Sequence, residues 1–308
     1  MINKELTDLI SKKLNIDRKD LIEKDIIISQ ILFYLMQDKD FFQNHAFKGG
    51  TCLIKCYLGY YRFSEDLDFT YVNQKEFIGK SKKKVRGLIS KKINRLGKII
   101  WGIAEHLDLD FKTEKQNQRY IEFGGGNTFV TFKIWYNSSE LEKETFVKIQ
   151  INHIEKLSYS LKELNAGCLV PKNLEKDFSF LMPEQTEIIF KNTKVKVYDI
   201  KEILIEKVRA ILTRRGIKAR DFVDVFLIIN KEKLNLNKFR QKIIKKIKDM
   251  LKFEKYQQNI KSKEVQLNER LILGDEEKLL LIPLDKDFPK FMKRFKLFLK
   301  GIANEFCD

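Results

Sequence analysis

Residues 47–69 read FKGGTCLIKCYLGYYRFSEDLDF. Two glycines and a threonine open the stretch, and Asp66-Leu67-Asp68 closes it. His45-Ala46-Phe47-Lys48 forms a short extended piece ahead of the glycines. Residues 51–59 read as a helix, and 66–72, DLDFTYV, as a strand with alternating faces. Side chains at i and i+2 of a strand share a face, so Asp66 and Asp68 point the same way while Leu67 turns to the core. At about 5–7 Å the two carboxylates repel by ~1 kcal/mol or more unless a cation sits between them. A hard divalent ion resolves the conflict, and Mg²⁺ (or Mn²⁺) takes one or two carboxylates together with phosphate oxygens. Gly49 and Gly50 allow close backbone approach, and Thr51 can cap the following helix. Free N–H groups at a helix start suit a phosphate. Either half alone is common on solvated surfaces. In this order, joined by one short helix, they describe a seat for a metal-bound nucleoside triphosphate. Arg62 and Ser64 keep the same two-residue spacing as the acids, which lets Ser64 donate to a phosphate oxygen.

The remaining chain sets the frame. Helical periodicity covers 4–15 and 19–38, the second apolar on more than one side. Residues 74–106 form a long lysine-rich helical segment, with breaks expected near Gly87 or Gly97. Strand-like runs follow at 108–114, 119–123, 128–136 and 145–154, and Gly124–Asn127 is a hairpin turn between two of them. Strand content ends near 198. Helix-compatible spacing then covers 199–214, 218–230, 236–252 and 284–303. The fold class is α+β: a mixed sheet with flanking helices over 1–197, then a helical bundle over 198–308.

The 308 residues are 43 % hydrophobic and 33 % charged, enough apolar material for a sizeable core and too much for a disordered chain. Sixty Lys and Arg against 43 Asp and Glu give a net charge of +17, which favours a polyanionic partner such as RNA. Cys52, Cys56, Cys168 and Cys307 make no disulfide framework or zinc spacing and read as reduced thiols. The N-terminus carries no signal peptide and no apolar run spans a membrane, so the expected location is cytoplasmic.

HAFKGGTCLIKCY followed by RFSEDLDFTY closely resembles the AbiEii family, the toxin nucleotidyltransferases of type IV toxin–antitoxin systems. That family reads Gly-Gly-Thr-x-Leu, then Arg-x-Ser-x-Asp-x-Asp-aromatic. The matching positions are Gly49, Gly50, Thr51, Leu53, Arg62, Ser64, Asp66, Asp68 and Phe69. In the helical half, YDIKEILIEKVRAILTRRGIKARDFVDVFLI is similar to the family's Glu-Lys, basic segment and Arg-Asp-x-x-Asp, here Glu206, Lys207, Arg214, Arg220, Asp221 and Asp224. The resemblance implies a nucleotidyltransferase fold whose helical domain completes the active-site cleft. It implies a metal at Asp66 and Asp68, a triphosphate contact from Lys207, and Arg220, Asp221 and Asp224 orienting Lys207 or the nucleotide. It also implies NMP transfer from an NTP to RNA, the tRNA 3′ end as acceptor, and a cognate antitoxin as partner. By sequence alone Lys207 lies at the edge of an amphipathic helix, and Asp221 and Asp224 one turn apart are equally a capping and ion-pair cluster.

One departure stands out. Nucleotidyltransferases often carry a third carboxylate on a later strand facing the first two. On 145–157 the corresponding positions are Lys148, Gln150 and Asn152, and Glu155 lies past the strand end. Asp108 or Glu122 can substitute, metal and positioning alone can activate the acceptor, or activity is weakened. Two basic faces offer RNA backbone tracks: 237–256, with Lys242, Lys245 and Lys246, and 81–98. Two other readings stay open: transfer to a small molecule or a protein hydroxyl, and a catalytically degenerate member that binds RNA or a partner.

Overall fold

The computed structural model describes residues 2–268 and 274–306. Cys307 lies outside the described residues. The chain divides into two compact units, Met1–Leu157 with Leu161–Tyr198, and Ser158–Ser160 with Asp199–Asp308.

The first unit is built on a seven-stranded mixed sheet. Its strands are β1 (His45–Lys48), β2 (Asp66–Tyr71), β3 (Ile121–Gly124), β4 (Phe129–Ser138), β5 (Lys143–Asn152), β6 (Lys162–Ala166) and β7 (Thr193–Val197), in the order β3-β4-β5-β2-β1-β7-β6. β2 runs antiparallel to β1 and parallel to β5, and β1 runs parallel to β7. Its helices are α1 (Lys4–Leu14), α2 (Lys19–Gln37), α3 (Lys39–Asn44), α4 (Gly49–Cys52), α5 (Lys82–His106), α6 (Glu175–Leu181) and α7 (Pro183–Phe190). Strand alternation explains the two-sided sheet. Leu67, Phe69 and Tyr71 of β2, Val147, Ile149 and Ile151 of β5, and Val130, Phe132 and Ile134 of β4 are all buried. α2 and α5 pack on these strands. The opposite face carries the polar residues of β2 and β5.

Several expectations are refined. α5 runs unbroken through Gly87 and Gly97; the interruption falls earlier, after the 3-10 turn Gln74–Phe77. Gly97 is buried, with Thr113 3.5 Å from where a Cβ would sit. Residues 108–114 are not a strand: only Asp110 pairs, in an isolated bridge with Trp135.

The second unit is helical: α8 (Ile200–Thr213), α9 (Ala219–Glu232), α10 (Arg240–Met250), α11 (Glu254–Lys261), α12 (Lys263–Asn268) and α13 (Phe288–Ala303). α8 packs on α9, α10 and α11. Phe222 meets Phe295 at 5.5 Å, and Phe226 meets Phe288 at 5.4 Å, joining α9 to α13 by aromatic edges. Residues 158–160 belong to this unit because the backbone N–H groups of Ser158 and Tyr159 donate to Glu202 Oε2 at 2.8 and 3.0 Å.

Candidate active site

β1 ends at Lys48, directly opposite Asp68 on β2. The chain then turns at Gly49, whose φ of +77° strains any residue with a Cβ. A Cβ there would lie 2.3 Å from Asp68 Oδ2, so the turn leans directly on the carboxylate. At Gly50 a Cβ would lie 2.6 Å from Arg62 Nη2 and 3.0 Å from Ser64 Oγ. Both glycines therefore answer to close approach, one to the acid and one to the Arg62–Ser64 pair beneath the turn. Arg62 is buried and donates from Nη1 to the Phe63 carbonyl at 2.7 Å.

The helix begins at Gly49 rather than at 51, so Thr51 does not cap it. Its hydroxyl instead lies 2.8 Å from Ser64 Oγ and bonds the Asp66 carbonyl, tying the turn to the start of β2. Leu53–Leu58 continues as a π-helix, closed by Gly59 N–H donating to Ile54 O at 3.0 Å. Lys55 anchors this spacer from inside. Its buried ammonium pairs with Asp25 at 3.0 Å and donates to Ser29 Oγ at 2.8 Å. Burial raises the thiols of Cys52 and Cys168 above their ordinary pKa, as expected of inert cysteines.

Asp66 and Asp68 sit half-buried on one face of β2. The Asp66 carboxylate makes no ion pair or hydrogen bond among the described residues. Parallel pairing sets Lys148 beside Asp66 and Gln150 beside Asp68. The third-acid position is therefore occupied by an amide, whose Nε2 donates to Thr131 Oγ1 at 3.2 Å. Neither substitute acid reaches the pair. Glu122 shares a row with Thr131, Gln150 and Asp68, three strands away, about 14 Å at ~4.8 Å per strand. It is also ion-paired to Lys133. Asp108 lines a cavity of about 380 Å³ with Glu23, Gln30, Trp135 and Glu144, which neither Asp66 nor Asp68 lines. Glu155 accepts from Asn152 Nδ2 at 3.1 Å beyond the end of β5. Among the described residues no cluster of three or more His, Cys, Asp or Glu side chains is placed to hold a metal.

In the helical unit, Lys207 on α8 meets Asp221 and Asp224 on α9, with Nζ 2.9 Å from Asp221 Oδ1 and 2.5 Å from Asp224 Oδ2. Arg214 Nη1 lies 2.6 Å from Asp221 Oδ2. Burial pushes the Asp221 carboxyl up, but Lys207 and Arg214 outweigh it and hold the group below its ordinary value. Arg220 stands next to Asp221 at the start of α9. Of the α10 lysines named in the sequence reading, Lys245 is exposed and Lys242 lies over the Tyr159 ring at 3.8 Å. Lys246 turns inward, its side chain only 7 % exposed, and pairs with Glu202 at 2.6 Å and Glu206 at 3.3 Å. As placed, it is a structural lysine rather than a surface contact. On α5, Lys82, Lys83, Lys84, Lys91 and Lys98 are exposed. What the sequence reading missed is Lys148 as a cation beside Asp66; alternation put it on the right face, but only strand register names its neighbour.

No curated protein matches the chain. Two solved structures resemble it at low similarity. The structure of JHP933 from Helicobacter pylori is 15 % identical, with 95 % of this chain and 93 % of that chain covered and a TM-score of 0.42. A structure described as a candidate nucleotidyltransferase from H. pylori is 17 % identical, with 93 % and 94 % covered and a TM-score of 0.40. No helix among the described residues is long and apolar enough to cross a membrane. The family model of the nucleotidyl transferase AbiEii toxin, type IV toxin–antitoxin system, matches residues 30–303, taking in both the Gly-Gly-Thr and Asp-x-Asp blocks and the Lys207 cluster. The chain belongs to that family of nucleotidyltransferase toxins.

Proposed function

We propose that the protein transfers a nucleoside monophosphate from a nucleoside triphosphate to an RNA acceptor, the tRNA 3′ end, in a magnesium-dependent reaction. The observation that carries this reading is the contact of the Gly49 turn with Asp68, where a Cβ would come within 2.3 Å of the carboxylate. It joins a backbone fit for phosphates to a carboxylate pair at one strand end. That donor set fits Mg²⁺ or Mn²⁺, because two oxygen-donor acids leave coordination places for triphosphate oxygens. When bound there, the ion supplies charge neutralisation at the triphosphate.

The chain's own residues do the rest. Backbone amides at Gly49, Gly50 and Thr51 receive the phosphates, and Ser64 adds a hydroxyl. In the helical unit Lys207 is held by Asp221 and Asp224, and the resemblance to the family makes it the candidate point charge for a triphosphate. The acceptor 3′ oxygen bonds to the α-phosphorus as the bond to the β-phosphate bridging oxygen breaks, and pyrophosphate leaves. Gln150 is a neutral amide and takes no proton from the hydroxyl. Positioning and charge then carry the catalysis. The net charge of +17 and the exposed lysines of α5 and α10 support a polyanionic acceptor. The family's type IV toxin–antitoxin setting supports a cognate antitoxin as protein partner.

The test is incubation with total RNA and each labelled triphosphate, followed by sequencing of extended ends. Label at RNA 3′ ends supports the reading. Label on a protein or a small molecule instead favours the other acceptor classes, and no incorporation with any triphosphate favours a degenerate member.

A further inference from the structure

β2 has two flanks. On the β1 side the glycine turn leans on Asp68. On the β5 side Lys148 lies beside Asp66, and one strand further out Lys133 on β4 lies directly opposite Lys148. Two like charges facing each other across a ladder destabilise it. Lys133 is compensated: it pairs with Glu122 and donates to the Gln118 carbonyl at 3.2 Å. Among the described residues Lys148 makes no ion pair or hydrogen bond, and its contact is the Phe146 ring, 5.5 Å from Nζ. Lys133 approaches the same ring at 5.6 Å. The sheet thus keeps an ammonium that makes no ion pair or hydrogen bond among the described residues, beside an aromatic ring and one strand from Asp66.

Phosphoryl transfer places the attacking and leaving oxygens roughly in line. With the triphosphate seated on the glycine-turn flank, pyrophosphate departs on that side and the acceptor arrives from the opposite one, over β5. We infer that Lys148 binds the last phosphodiester of the RNA acceptor, fixing the strand so that its 3′ hydroxyl meets the α-phosphorus. This rests on the proposed transfer reaction. It deepens it by making acceptor choice depend on a phosphate next to the hydroxyl, which a small alcohol or a protein serine lacks. Lys148 makes and breaks no bond. Thr131 and Gln150, already bonded to each other, form the neutral floor beside it.

The experiment compares wild type, Lys148→Ala and Lys148→Arg, each first checked for an unchanged thermal midpoint. Transfer is measured against RNA and triphosphate concentration at several salt concentrations, and binding of a labelled single-stranded RNA is measured in parallel. In Lys148→Ala, KM for RNA rises about five- to tenfold, as loss of one phosphate contact implies. KM for the triphosphate stays fixed, the slope of log affinity against log salt flattens by ~0.7, and Lys148→Arg restores both. Unchanged RNA affinity, or a change confined to the triphosphate KM, overturns the inference. The binding arm separates the two failures: no transfer by wild type overturns the reaction, while loss of RNA affinity in Lys148→Ala still upholds the contact.

Discussion

Gly49→Ala tests how the glycine turn meets the Asp66–Asp68 carboxylate pair. The substitution has two separable costs. The first is backbone strain, ~1–2 kcal/mol for a side chain in the left-handed region, set by the φ of +77°. The second is steric. A Cβ 2.3 Å from Asp68 Oδ2 must be relieved by moving the carboxylate roughly 1 Å, since ordinary contact begins near 3.4 Å. Misplacement by about 1 Å costs a reaction on the order of 100-fold, or ~2.7 kcal/mol of barrier. Gly59 is a positive-φ control, because its φ is +78° and nothing lies within 4 Å of a Cβ there. Gly59→Ala carries the strain without the clash. Urea denaturation should show both variants losing stability. Labelled transfer to RNA should fall about 100-fold in Gly49→Ala and stay near wild type in Gly59→Ala. Equal activity in the two variants would refute the claim that the turn's approach to Asp68 matters for chemistry.

Three further outcomes follow from the geometry. His45 and His153 are buried, and burial lowers their pKa to about 3 and about 4. The unfolded chain takes up protons below about pH 6.5 while the fold does not, so stability is unaffected above 6.5. It then falls by ~1.4 kcal/mol per pH unit for each histidine down to the folded pKa; denaturation midpoints between pH 7 and 4.5 measure this. Lys207→Ala leaves Asp221 and Asp224 buried without their shared cation and should cost ~3–5 kcal/mol at pH 7. Part of that loss should be recovered at pH 5 as the carboxyls protonate, whereas a deficit constant with pH would argue against the ion-pair account. Gln150→Glu puts a third acid beside Asp68, so without added metal the thermal midpoint should drop, and Mg²⁺ should raise it more than in wild type. Equal response to Mg²⁺ in both proteins would contradict the placement.

The carboxylate pair and the glycine turn were legible because alternation and φ preference are local. Asp66 and Asp68 had to share a face once 66–72 was read as a strand, and the structure keeps that strand as Asp66–Tyr71. The vacancy at the third acid was legible as well, since Gln150 falls in register with Asp68. What stayed hidden depends on contacts distant in sequence. Lys246 looks like Lys242 and Lys245 in composition, but helix pitch turns it toward Glu202 and Glu206, forty and more residues earlier. The Lys55–Asp25 pair sits inside what reads as a plain spacer helix. β6, α6 and α7 carry weak periodicity, and 108–114 alternates like a strand yet finds a partner only at Asp110.

The most direct measurement is transfer of labelled nucleotide to RNA by Asp66→Ala and Asp68→Ala, each shown by denaturation to remain folded. Loss of transfer in both, with stability kept, is the result this site predicts; retained transfer in both would contradict it.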